Sequence, residues 1–132
     1  KGPHFKRLFL YQMEKENKNN RLIKGLWSLT GLKSSDYIRM AKQIHPDLTG
    51  SRLRGLMSGI ANSNYRPATN YDVFQCVVVV SHWVGIDSDF VETVSDSAVE
   101  TLLDEVDRLI ANADTDGLSN QDRVKKALRN FF

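Results

Sequence analysis

Residues 69–84, TNYDVFQCVVVVSHWV, decide the fold. Taken alone, the run Val77–Val80 suits a buried strand, because β-branched residues fit a pleated surface. With its flanks the segment reaches about 15 residues, beyond the usual strand of roughly 4–8. Val73, Phe74, Val77, Val80, Trp83 and Val84 recur within it at helical spacing, behind a capping Thr69 or Asn70. The spacing predicts a helix buried on nearly every side, and with it an all-α chain.

The flanking segments read the same way. Leu22, Ile23, Leu26, Trp27 and Leu29 predict a helix over 20–31 that ends at Gly31. Ser34, Ser35 and Asp36 resemble an N-cap for a short helix faced by Ile38, Ala41 and Ile44 and stopped at His45-Pro46. Turn chemistry over Pro46–Ser51 feeds Leu53, Leu56, Met57 and Ile60, predicting a third helix over 51–61. After the polar loop Asn62–Pro67 and the helix already described, Ser97 caps a stripe of Val99, Leu102, Leu103, Val106, Leu109 and Ile110. Beyond a turn over Asn112–Leu118, Ser119 and Asp122 open a last helix carrying Val124, Leu128, Phe131 and Phe132. The expected architecture is a compact all-α bundle of six to seven short helices with a helix-turn-helix-like pair and no internal repeat. Its parts are an N-terminal extension over 1–19, a basic core over 20–87 and acidic helices over 88–132. Because the chain opens at Lys1 and Met13 offers another start, residues 1–12 are given little functional weight.

A chain of 132 residues with 41% hydrophobic and 26% charged residues buries one core and has no room for a two-domain enzyme. The longest unbroken apolar run, Cys76–Val80, falls far short of the roughly 20 residues that cross a bilayer, so no membrane span is expected. The single cysteine excludes an internal disulfide and suits a reducing compartment, with the cytoplasm as the default. Net charge is +2, yet residues 1–66 hold 13 Lys and Arg against 4 Asp and Glu, while residues 67–132 hold 5 against 12. A basic half of this kind points to an anionic partner, nucleic acid first. The same sorting also arises if the two halves attract each other within the fold.

Two short helices joined by a turn, with arginines opening the second, supply the parts of a helix-turn-helix, whose second helix presents its first residues to base edges. Those residues are Ser51, Arg52 and Arg54. The planar guanidinium donates two bonds to guanine, and serine lets the backbone approach phosphate. Lys33, Ser35, Arg39 and Lys42, with Asn64 and Arg66, are the candidate phosphate contacts. The order of elements over about residues 20–87 resembles the phage-repressor (Cro-like) helix-turn-helix family. The resemblance is carried by Gly31-Leu32-Lys33-Ser34, by Leu53, Leu56 and Gly59, and by Trp83-Val84-Gly85-Ile86-Asp87. The turn Pro46–Ser51 and the stretch from Gly59 to Pro67 are longer than in that family. The resemblance implies sequence-specific operator binding as a dimer and carries the recognition role to Ser51, Arg52 and Arg54.

Segments 97–111 and 119–132 are the candidate homodimer surface, since an apolar stripe can zip against a second copy; the plainer expectation is that it covers its own core. Phe131 and Phe132 could invite a partner, although packing back onto the core is the simpler role. Asn112, Asp114, Asp116 and Gly117 imitate half of a calcium loop, but its closing position holds Arg123 where a glutamate is needed. His4, His45, His82 and Cys76 lack metal-ligand spacing, and Cys76 reads as an inert core thiol. No cofactor, no metal and no catalytic constellation are predicted. The expected function is a small sequence-specific regulator that binds double-stranded DNA through the helix-turn-helix-like pair; the alternative is a protein–protein adaptor that touches no nucleic acid. The first requires the guanidinium groups of Arg52 and Arg54 to face outward, free of the rear carboxylates.

Overall fold

Most helix starts in the described residues are fixed by short polar side chains that accept from otherwise unpaired first-turn amides. The structure, a computed structural model, describes residues 16–88 and 93–129. Within them lie α1 (Lys18–Thr30), α2 (Ser34–Ile44), α3 (Gly50–Met57), α4 (Asn70–Val84), α5 (Asp96–Ala111) and α6 (Asn120–Arg129), and no strand. Asn17 caps α1, Thr49 caps α3 and Ser95 caps α5. Ser119 Oγ accepts from Asp122 N at 3.1 Å at the start of α6. Gly31 and Gly85 end α1 and α4 in the left-handed conformation that glycine adopts without strain.

The deciding segment is helical from Asn70 to Val84. Thr69 and Asp72 form a reciprocal capping box, and Val73, Val77, Val79 and Val80 are fully buried. A valine in a helix is less favourable than alanine by up to about 0.7 kcal/mol, whereas burying its side chain contributes about 1.5–3 kcal/mol, so burial outweighs propensity.

Helix α1 is the hub, packed on α3, α4, α5 and α6, while α2 rides on α3 and α4. A Cβ at Gly25 would stand 2.7 Å from Val106 Cγ1, so α1 and α5 cross closely at a residue without a side chain. The stripe of α5 is spent on this packing: Val99, Leu102, Leu103, Val106 and Leu109 are buried in the chain's own core, leaving Ile110 40% exposed. Val124 and Leu128 of α6 are buried with them. The apolar residues considered for a homodimer over 97–111 are therefore already covered. Phe131, Phe132, His4 and residues 1–15 lie outside the described residues.

Three boundaries differ from expectation. Lys33 holds the N-cap position of α2 and makes no side-chain cap, with Ser34 and Ser35 inside the first turn. Ser95 caps α5 in place of Ser97, because its hydroxyl accepts from Ala98 N at 3.2 Å. Helix α3 stops at Met57, since Ser58 turns extended and its hydroxyl donates back to Arg54 O at 2.7 Å.

The turn between α5 and α6 is closed by a side-chain cation. Arg123 Nε and Nη2 donate to the two oxygens of Asp116 at 3.0 and 2.9 Å, and Nη2 also donates to Ala113 O at 2.7 Å. Burial pushes the Cys76 thiol up to about 12, with the nearby Asp72 carboxylate adding to the effect. Tyr37 lies against it, also raised by burial, and its hydroxyl makes no hydrogen bond of ordinary geometry.

Candidate nucleic-acid interface

Helix α3 turns Leu53, Leu56 and Met57 into the core. At 3.6 residues per turn, positions two apart diverge by about 200° around the axis, so Arg52 and Arg54 leave α3 on opposite sides. Arg52 points toward α4. Its Nε and Nη2 donate to Asp72 Oδ1 at 3.1 and 2.8 Å, and Nη2 donates to Oδ2 at 2.8 Å. The Asp72 side chain is 1% exposed and also accepts from Thr69 N and Thr69 Oγ1. A two-pronged bond onto a buried carboxylate that caps its own helix is a strong structural tie. The expectation that Arg52 faces outward to read bases is corrected: it is held by the rear-half carboxylate of Asp72, so the requirement that both guanidinium groups be free of the rear carboxylates fails for Arg52 and is met by Arg54 alone among the described residues.

Arg54 is different. Its guanidinium folds back over Gly50 beside Ile38 of α2, and it pairs with no carboxylate among the described residues. Two shallow depressions meet at it. One, of about 380 Å³, is lined by Ser51, Arg54, Ser63, Asn64, Tyr65 and Arg66. The other, of about 470 Å³, is lined by Ser35, Ile38, Arg39, Lys42, Gln43 and Arg54. Of the candidate residues, Ser35, Arg39, Lys42, Ser51, Arg54, Asn64 and Arg66 thus share one surface. Lys33 is exposed before α2 and lines neither depression. Arg39 makes an exposed pair with Asp36 at 3.4 Å, the kind of contact worth about 0–1 kcal/mol, so it is readily redirected. Lys42 and Arg66 form no ion pair among the described residues.

The sorted charge has more than one origin. Part is internal: Lys18 pairs with Glu100, Arg21 with Asp107 at 3.2 Å, and Arg52 with Asp72, each joining the basic half to the acidic half. Another part is the Arg54 surface, with Arg39, Lys42, Arg54 and Arg66. A further groove of about 480 Å³ between α5 and α6 carries Asp104 and Glu105 against the single cation Arg108, which pairs with Glu105, a net negative lining unsuited to a phosphate chain.

Two residues that matter here escaped the sequence reading. Asp72 was legible as the third residue after Thr69, the acidic member of a capping box. Asn20, a fully buried polar residue on α1, had no signal beyond its place on the apolar side of that helix. Its side chain reaches Leu56 O, Arg66 O, Tyr65 Oη and Ala68 N. Comparisons with protein-family models, curated proteins and solved structures found no match to this chain.

Proposed function

We propose that this chain is a small DNA-binding regulator that holds duplex DNA on the face made by α2, α3 and the 62–66 loop, with Arg54 at its centre. The observation that carries this is the convergence of seven candidate residues on two adjoining depressions whose cations Lys42, Arg54 and Arg66 form no ion pair among the described residues. Arg39, Lys42, Arg54 and Arg66 meet phosphates and set the register, and Ser51, i to the i+3 of Arg54, lies on the same side of α3. Arg52 has no base-reading part in this scheme; it braces α3 against α4. The protein works in a reducing compartment, the cytoplasm, which suits a chain whose cysteine is a buried free thiol.

Duplex binding followed by fluorescence anisotropy across a salt series tests this. Four cations on phosphates give a log–log slope of about −3 to −4. Arg54→Ala is expected to weaken binding and flatten that slope with the melting temperature kept, whereas Arg52→Ala lowers the melting temperature and leaves the slope of the folded protein near wild type. Absence of binding at low salt, or an equal loss of slope in both variants, contradicts the proposal.

A further inference from the structure

The loop between α3 and α4 has one cation, Arg66, and two residues outside both depressions decide where it stands. Asn20 Nδ2 donates to Leu56 O at 3.0 Å and to Arg66 O at 2.9 Å, and Oδ1 accepts from Tyr65 Oη at 3.0 Å and Ala68 N at 2.8 Å. Two donors and two acceptor lone pairs are the whole capacity of an asparagine side chain. All of it goes to the last turn of α3 and the loop that follows. Gly55 does the rest. Arg66 N donates to Gly55 O at 3.0 Å, and a Cβ at position 55 would stand 2.7 Å from Asn64 O and 2.8 Å from Arg66 Cγ. The first of these is backbone and cannot rotate away. Glycine is a poor helix former, so the presence of the buried Gly55 within α3 is explained by this close approach.

We infer that Asn20 and Gly55 are positioning residues of the phosphate-binding face, holding Arg66 against α3 so that it and Arg54 act on one anionic track. This rests on the DNA-binding proposal and deepens it: the face is α3 plus a locked loop, in which a phosphate meets an arginine from each. Without the lock, Arg66 would be a tethered cation whose contact with phosphate is lost to its own freedom.

The test measures binding of a short duplex across salt for wild type, Arg66→Ala, Gly55→Ala and the double variant, each with its melting curve. Gly55→Ala is expected to lower the magnitude of the salt slope by about 0.9, one phosphate's worth, as Arg66→Ala does, and the double variant to lose no more than either alone. A merely structural glycine would move the melting curve and leave the slope. Should Gly55→Ala fail to fold, Asn20→Ser decides: the same loss of slope supports the inference and a wild-type slope overturns it. A wild-type chain that binds no duplex overturns both proposals. Wild type that binds steeply, with folded Gly55→Ala matching its slope and affinity, overturns only the positioning role.

Discussion

Asp72 shows how one carboxylate redirects a reading of its neighbours. It accepts from Thr69 at the start of α4 and from Arg52 of α3, so a side chain that caps one helix also anchors another. The Arg52 side chain keeps 41% of its surface exposed, yet its Nε and Nη2 are both committed to Asp72. Tyr37 gives the opposite case, a fully buried hydroxyl that gains little where it stands. Because a buried polar group without a partner costs about 1–3 kcal/mol, Tyr37→Phe is expected to leave stability unchanged or raise it by up to about 1 kcal/mol. The urea midpoint reads this directly; a loss of more than about 1 kcal/mol would reveal a bond between Tyr37 and the Cys76 thiol stronger than its geometry indicates.

At the scale of elements, the turn from α5 to α6 has a definite pH signature. Hydrogen bonds from Arg123, with a smaller contribution from Leu118 N, hold the Asp116 carboxyl below its usual value of 3.8. The folded chain therefore binds that proton less readily than the unfolded one. Its stabilising contribution is complete above the unfolded value and is lost as pH falls through the folded value. The stability gap between wild type and Asp116→Asn is expected to hold steady from about pH 7 to pH 5 and to close only below about pH 4. A gap that closes near neutrality would point to a different group. The same elements show what was legible in the sequence. Apolar periodicity located the six helices of the described residues, because burial of one face dominates helix placement. Caps and ends were less legible: Ser95 and Ser97 offer the same chemistry two residues apart, and only packing selects between them. In α3, the spacing of Arg52 and Arg54 already implied opposite directions, but the destination of each depended on Asp72 and Ile38, which arrive from other helices.

At the scale of the molecule, the described part of the charge asymmetry includes a seam between the two halves and an outward face. The seam joins α1 and α5 through Lys18–Glu100 and Arg21–Asp107, exposed pairs that contribute about 0–1 kcal/mol each and serve mainly to hide charge. The face consists of Arg39, Lys42, Arg54 and Arg66, which make no ion pair with a rear-half carboxylate among the described residues, and it shares no lining residue with the α5–α6 groove, where Asp104 and Glu105 would repel phosphate. Composition announced the asymmetry, but only the fold separates the two parts, since a sum of charges carries no direction. Backbone amide shifts of the isotopically labelled chain, followed while a short duplex is titrated in at low salt, test the central claim most directly. Changes confined to α2, α3 and residues 62–66, with Arg54 among the largest, are the predicted result; changes centred on α5 and α6, or none at saturating duplex, would contradict it.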